Sequence, residues 1–253
     1  MAKIEPALAV EAIPGAATSR LLLLCDHASN HVPAEYAMLG LARHEFERHI
    51  AYDIGARDVT LALAHRLDAA ALLACSSRLL IDPNRGRNDP TLIMKLSDGA
   101  IVPGNARVDA SERQRRIERF HVPYHRAIAA KLDALLAVGI MPLIISIHSF
   151  TPWWRGKPRP WHAGILWDRD ERIAGPMIAA LRAQEGLLVG DNEPYSGALE
   201  GDTLSVHATA RGLPHVLIEI RQDLIGHKSG VDEWAERLAK AIEPFMNGAD
   251  EHG

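Results

Sequence analysis

The chain has 253 residues, a formal net charge of -4 at pH 7, and a composition of 47% hydrophobic and 24% charged residues. These values are typical of a soluble globular enzyme and argue against a disordered or fibrous protein. The small acidic excess gives no support for a nucleic-acid partner, and no apolar run reaches the length needed to span a bilayer. We therefore expect a single domain over residues 1–253, with the cytoplasm as the default location.

The N-terminal part of the chain predicts a buried strand that leads into a polar loop. Residues 1–18 are rich in Ala and Pro and are expected to be a loosely held lead-in. The apolar run at residues 20–26 is typical of a strand covered on both faces. Asp26, His27 and Asn30 at its end can all bind a metal, although Asn30 fits equally well in a turn that binds only backbone.

Asp53 lies between two predicted helices. Residues 34–49 fit an amphipathic helix, and residues 55–67 fit a second one whose first turn can be capped by Asp53 or Asp58. Asp53 can instead be a metal ligand, because a carboxylate with two imidazoles is a common zinc set. The sequence leaves both roles open.

A loop rich in arginine follows two further predicted strands, at residues 70–75 and 78–82. Its charged and polar side chains are those of Arg78, Asn84, Arg85 and Arg87. An arginine binds a carboxylate through two parallel hydrogen bonds. This loop therefore predicts a pocket for an acidic substrate.

The middle of the chain predicts a long surface loop and a long helix. Residues 86–110 are expected to form the loop, and residues 111–138 a helix kinked at Pro123. Tyr195, in a later polar loop, could reach inward. The remaining predicted elements are a strand at residues 163–167, a helix ending at residue 182 and a terminal helix from residue 230.

His148 lies near the end of residues 143–150, whose first five residues include four apolar ones, three of them Ile. This run is typical of a strand in the middle of a parallel sheet. Ligands of open α/β sheets gather outside the carboxyl ends of the strands. A structural histidine is the alternative, but the polar residues that follow other predicted strands favour a shared site.

Glu219 interrupts the apolar run of the last predicted strand, residues 212–221. A buried carboxylate is costly unless it is paired, and Arg221 would lie on the same face of the strand. A structural ion pair with Arg221 is therefore one interpretation. A general base is the favoured one, because burial can tune the pKa of a Glu toward the working range.

Five segments together resemble the N-formylglutamate amidohydrolase family, which is related in fold to the zinc carboxypeptidases and aspartoacylases. They are residues 26–33, 49–55, 77–85, 147–150 and 219–224. The resemblance implies a three-layer α/β/α sandwich with a central mixed, mostly parallel sheet. It also implies one catalytic Zn²⁺.

The resemblance also assigns roles to single residues. It implies His27, Asp53 and His148 as metal ligands, Glu219 as the catalytic carboxylate and Arg78 as a polarising cation. The substrate-binding residues would be Asn84, Arg85, Tyr195 and Arg221. The related enzymes usually use a His-x-x-Glu element, but here Asn30 stands where that Glu would be, and Asp53 is the better replacement.

Three functional hypotheses follow from these observations. The first is zinc-dependent hydrolysis of N-formyl-L-glutamate in histidine breakdown. The second keeps the zinc but changes the substrate to another N-acylated acidic amino acid or a short peptide. The third is a metal-free protein that binds a small molecule through its carboxylate, motivated by the missing Glu at position 30.

Overall fold

The computed structural model describes residues 9–246, and within them the chain is built around a seven-stranded sheet. Its strands lie in the order β1-β3-β2-β4-β7-β5-β6. They are β1 (Val10–Ile13), β2 (Leu21–Cys25), β3 (Ala70–Ala74), β4 (Leu143–Phe150), β5 (Ala163–Leu166), β6 (Val189–Asp191) and β7 (His215–Arg221).

The four central strands run in one direction. β3, β2, β4 and β7 are parallel to their neighbours, whereas β1 is antiparallel to β3 and β5 is antiparallel to β7. The predicted mixed, mostly parallel sheet is thus confirmed. Because parallel strands end at the same edge, the loops after β2, β3, β4 and β7 meet there.

Helices cover both faces of the sheet. They are α1 (Ala56–Arg66), α2 (Ala110–Arg116), α3 (Val122–Ala137), α4 (Glu171–Arg182), α5 (Thr203–His207) and α6 (Lys228–Met246). Leu21 and Leu23 of β2 pack with α1, α4 and α6, whereas Leu22 and Leu24 pack with α3 and α5. Successive side chains of a strand point to opposite faces, so a strand covered on both sides needs a continuous apolar run. This arrangement confirms the three-layer α/β/α sandwich.

Two of the predicted elements are wrong. Residues 34–49 do not form an amphipathic helix but two short 3₁₀ turns, Ala34–Gly40 and Arg43–Glu47. Residues 78–82 form a turn and not a strand, with the amide of Leu80 donating to the carbonyl of Ser77. Leu39 and Phe46 of the first segment and Leu79, Leu80 and Ile81 of the second are buried in a separate small core beside the sheet. These side chains are removed from water there, although their backbone forms neither a strand nor a regular α-helix.

Other differences concern strand pairing and the long helix. The predicted lead-in contains β1, and the polar loop around residue 190 contains β6. Instead of a kink at Pro123, a π-helical turn at Ile117–His121 joins α2 to α3. Such a turn accommodates the hydrogen bond that proline cannot make. No helix within residues 9–246 combines the length and apolar character that crossing a membrane requires.

Gly164 of β5 offers a test of how tightly the sheet is packed beside the site. A Cβ at this position would lie 1.8 Å from the carbonyl oxygen of Glu193. We expect Gly164→Ala to destabilise the protein by about 1–3 kcal/mol or more, as overpacking does. Gly175→Ala is the control, because a Cβ there meets nothing within 4 Å and an exposed helical position gains about 1 kcal/mol from alanine. Equal melting temperatures for the two variants would contradict the close contact.

Candidate active site

His27, Asp53 and His148 meet at the carboxyl edge of the sheet. The ligand atoms of these three buried side chains all lie within 4.8 Å of one another. Asp53 Oδ2 is 2.8 Å from His148 Nδ1 and 3.3 Å from His27 Nδ1. The structure therefore brings together the three residues that the sequence suggested as metal ligands.

The backbone holds Asp53 in place. Its amide donates to the carbonyl of His27 at 3.0 Å, and its Oδ2 accepts from the amide of Ser149 at 3.2 Å. The next turn depends on Gly55, which has a φ of 80° and whose added Cβ would lie 2.3 Å from the carbonyl oxygen of Ile225. Asp53 thus approaches the imidazoles from the start of α1 on a backbone that is fixed from several sides.

A second set of carboxylates holds the outer nitrogens of the imidazoles. His27 Nε2 donates to Asp82 Oδ1 at 2.7 Å, and His148 Nε2 donates to Asp26 Oδ2 at 3.0 Å. Asp26 also accepts hydrogen bonds from Ser146 and Thr203. Histidines that bind metals nearly always donate their other N–H in this way, which fixes ring orientation and tautomer.

The buried charges around the two imidazoles are strongly coupled. Burial alone would disfavour the charged form of His148, but its hydrogen bonds to Asp26 and Asp53 raise its pKa well above the ordinary value. The same contacts hold the pKa of Asp53 and of Asp26 below their ordinary values despite burial. The two carboxylates are therefore ionised and face the imidazoles.

Arg78 is tied into this network. Its Nη2 donates to Asp82 at 2.8 Å, and its Nη1 donates to Asp53 at 3.4 Å. Burial opposes its ionisation, but Asp82 and Asp53 outweigh that effect and raise the pKa of the guanidinium. Arg78 lines the cavity, yet two carboxylates of the protein already occupy much of its donor fork.

Asn84 and Arg85 present the adjacent polar wall. The amide of Asn84 donates to Asp82 at 2.9 Å, and its side-chain oxygen accepts from the amide of Thr203 at 3.0 Å. Arg85 Nη1 donates to the carbonyl of Asn84 at 2.7 Å. Arg85 lines the cavity, and no ion pair between it and a carboxylate is found within residues 9–246.

Glu219 faces the same cavity from β7, next to His148 in the parallel ladder. Burial raises its pKa to about 7, against the opposing effect of His148 and other cations. Among the described residues, no group hydrogen-bonds to its Oε2. Arg221 instead donates to Asp223 at 2.8 Å. The structural ion pair considered from sequence is therefore not formed.

One cavity of about 440 Å³ is lined by seven of these residues: His27, Asp53, Arg78, Asn84, Arg85, His148 and Glu219. Tyr195 also lines it, with the guanidinium of Arg159 lying 4.9 Å from the centre of its ring. Apolar side chains of Phe150, Leu166 and Leu217 form part of the remaining wall. Arg221 is the exception among the expected substrate-binding residues, because its pairing with Asp223 turns it away and it is not part of the cavity lining in the described chain.

Asn30 is not a metal ligand. It is exposed, and its side-chain amide donates to the carbonyl of Phe46 at 2.8 Å, so its side chain binds backbone outside the group formed by His27, Asp53 and His148. Sequence reasoning missed Thr203, whose hydroxyl donates to Asp26 at 2.6 Å. The only local signal there is the helix cap of Asp202, which accepts from the amide of Ser205 and says nothing about the distant Asp26.

The sequence was also compared with known protein families. The family N-formylglutamate amidohydrolase matches residues 19–226. The chain belongs to this family. It is therefore an amidohydrolase, and the matched segment contains every side chain that lines the cavity.

Solved structures show the same fold. A gene product of Agrobacterium tumefaciens is 34% identical, with a TM-score of 0.90 and 96% of each chain covered. An N-formylglutamate amidohydrolase from Ralstonia eutropha JMP134 is 22% identical, with a TM-score of 0.72, and the likeness covers 95% of this chain and 98% of that one. At 22% identity, the similarity to the Ralstonia eutropha protein is evidence for the fold only. No curated protein matches the chain.

Proposed function

We propose that this chain is a zinc-dependent amidohydrolase that cleaves N-acyl amino acids with a free carboxylate, N-formyl-L-glutamate foremost. The observation that carries the proposal is the arrangement of His27, Asp53 and His148 beside Glu219 and Arg85 in one cavity. Release of formate and glutamate would place the enzyme in histidine breakdown, in the cytoplasm.

The donor set fits zinc. Two imidazole nitrogens and a carboxylate oxygen are the usual protein ligands of a catalytic Zn²⁺ that keeps one position open. The carboxylates of Asp82 and Asp26 already orient the two imidazoles from behind. Bound there, Zn²⁺ would polarise the substrate carbonyl and make a water molecule a better nucleophile. The missing Glu at position 30 does not favour a metal-free protein, because Asp53 supplies the carboxylate.

Glu219 is the group that moves the proton. Its carboxylate is buried beside His148 and has an oxygen without a protein partner in the described chain. A pKa of about 7 allows it to take a proton from the attacking water and return it to the leaving amine near neutral pH. Arg78, held by Asp53 and Asp82, adds positive charge close to the oxygen that becomes negative.

Arg85 and Asn84 bind the carboxylate of the amino acid. The guanidinium of Arg85 donates one hydrogen bond to the carbonyl of Asn84 and keeps N–H groups that can bind a carboxylate through two parallel hydrogen bonds. Anchoring this end of the substrate orients the scissile amide toward Glu219 and the metal ligands. Tyr195 closes the cavity on another side.

The proposal is tested with a panel of N-formyl and N-acetyl amino acids, together with a measurement of bound metal. We expect one zinc per chain and the highest kcat/KM with N-formyl-L-glutamate. Higher activity on another N-acylated acidic amino acid would keep the mechanism and change the substrate. A protein that takes up no zinc and stays inactive when zinc is supplied would contradict the proposal.

Asp82→Asn tests the metal site without removing a ligand. Asn cannot accept the hydrogen bond from His27 Nε2 with the full negative charge of Asp82, so the imidazole becomes a weaker and less well oriented ligand. We expect the Kd for zinc, measured by competition with a chelator, to rise by about 10–100-fold. Asp133→Asn is the control, since Asp133 pairs with Arg211 and is largely exposed. Equal zinc affinity in the two variants would count against a metal at His27.

A further inference from the structure

Three buried histidines lie in a row beside the active site: His121 stacks on His125 with ring centres 4.1 Å apart, and His125 meets His207 edge to edge with ring centres 5.0 Å apart. We name these residues the histidine stack. His125 Nδ1 and His207 Nε2 are 2.8 Å apart, which makes a hydrogen bond between the two rings. The stack joins α3 and the π-helical turn before it to α5.

The stack holds the backbone of the loop that carries Asn84 and Arg85. His125 Nε2 donates to the carbonyl of Pro83 at 2.9 Å, and His121 Nε2 donates to the carbonyl of Arg85 at 3.0 Å. One of these carbonyls precedes Asn84 in the chain, and the other belongs to the residue that follows it. Two of the three imidazoles thus use a ring N–H to fix the part of the chain from which Arg85 projects.

The proton positions in the stack follow from these contacts. Since His125 donates from Nε2, its neutral ring accepts at Nδ1 from His207 Nε2. Burial lowers the pKa of each of the three histidines to about 4, so the stack is neutral in the physiological range. His121 Nδ1 is buried and finds no partner among the described residues. The position of His121 therefore serves the hydrogen bond that its Nε2–H donates to the carbonyl of Arg85, while its buried Nδ1 acceptor is left without a donor.

We infer that the histidine stack is a positioning device for the substrate carboxylate clamp: His121 and His125 hold the carbonyls on either side of Asn84 so that the Arg85 fork faces the cavity. This inference rests on the proposed role of Arg85. α5 contributes twice, since the amide of Thr203 donates to Asn84 and His207 donates to His125. The loop is thus held at its carbonyls by the stack and at the Asn84 side chain by the start of the same helix.

The test compares His121→Phe with His121→Gln. Phe keeps the aromatic stack but leaves the carbonyl of Arg85 without its donor, whereas the side-chain amide of Gln reaches the position of Nε2. For His121→Phe we expect the KM for N-formyl-L-glutamate to rise about tenfold, as expected for an orphaned buried acceptor, with kcat little changed. His121→Gln should restore a KM close to the wild-type value. If His121→Phe does not fold, His121→Asn replaces it, because its shorter amide does not reach the carbonyl.

Coupling to Arg85 separates positioning from general packing. In an Arg85→Ala background, His121→Phe should cause no further rise in KM, because the Arg85 guanidinium that His121 positions is already gone. Phe120→Leu is the matched packing control, since Phe120 is a buried ring in the same turn without a hydrogen bond to the loop. This control should lower the melting temperature and leave KM unchanged.

The outcomes distinguish this inference from the proposed function. If Arg85→Ala weakens binding of the free acid but His121→Phe leaves KM unchanged, or if the two effects are additive, the positioning role is overturned. A KM rise in Phe120→Leu equal to that of His121→Phe would overturn it as well. If Arg85→Ala itself leaves KM unchanged, the carboxylate clamp is wrong, and the role of the stack falls with it.

Discussion

Replacing Glu219 with Gln is expected to lower kcat for N-formyl-L-glutamate by at least about 10²-fold, the usual effect of losing acid–base catalysis. The amide keeps the shape of the side chain and its place beside His148 in the sheet. It cannot accept a proton from water, so the chemical step should fail while substrate still binds. Zinc content should stay at the wild-type level.

Stability measurements distinguish this role from a structural one. Because burial raises the pKa of Glu219 to about 7, its ionised form in the metal-free chain opposes folding, and stability declines as the pH rises from the ordinary value of 4.5 through 7. Gln removes that cost. After removal of metal, the melting temperature of Glu219→Gln at pH 8 should therefore equal or exceed that of the wild type.

The control for this experiment is Glu200→Gln, which changes an exposed carboxylate in the same way. It should leave kcat unchanged. A Glu219→Gln variant that melts much earlier but keeps its turnover in the folded fraction would rule out the proton-transfer role. Such a result would indicate that the substitution leaves a buried cation without its ion-pair partner. Arg221 is not expected to be that cation, because it pairs with Asp223.

The sheet and the meeting of His27, Asp53 and His148 at one edge could be predicted because their signals are local. Residues 143–147 are apolar except for Ser146, and His148 follows them, so this pattern alone indicates a strand covered on both faces. His27 follows a second run of the same kind. Parallel strands bring their carboxyl ends to one edge, so polar residues at the ends of several predicted strands predict one shared site.

The errors come from contacts between residues distant in sequence. The run at residues 78–82 is as apolar as a strand, but it is buried by residues such as Phe46 and Phe120 in a core outside the sheet. β1 and β6 are short edge strands whose existence depends on the partners β3 and β5. A propensity for strand or helix is a weak signal when a distant surface decides what is buried.

The role of the histidine stack also depends on contacts between residues distant in sequence and could not be predicted from the sequence. His121 and His125 are four residues apart and therefore share one face of a helix, which the sequence alone indicates. His207 follows 82 residues later, and the two carbonyls that the stack holds belong to a third segment. Only three-dimensional contacts separate these three imidazoles from the two of the proposed metal site.

Arg85 carries the second prediction with a large effect. Its side chain lines the cavity and forms no ion pair with a carboxylate within residues 9–246. We expect Arg85→Ala to lower kcat/KM for N-formyl-L-glutamate by about 10²-fold, since it removes two charge-assisted hydrogen bonds. Arg85→Lys should lose about tenfold, because an ammonium keeps the charge but cannot form the two parallel bonds.

The substrate itself provides the sharper comparison. The wild-type enzyme should act poorly on a substrate whose α-carboxylate is replaced by a carboxamide, and Arg85→Ala should reduce that residual activity little further, because the interaction is already lost. Arg87→Lys is the control, as Arg87 is exposed two residues along the same loop. Equal wild-type rates on the free acid and the carboxamide would remove the clamp from the mechanism. Orientation of the scissile bond would then have to come from Arg78 or from the wall around Tyr195.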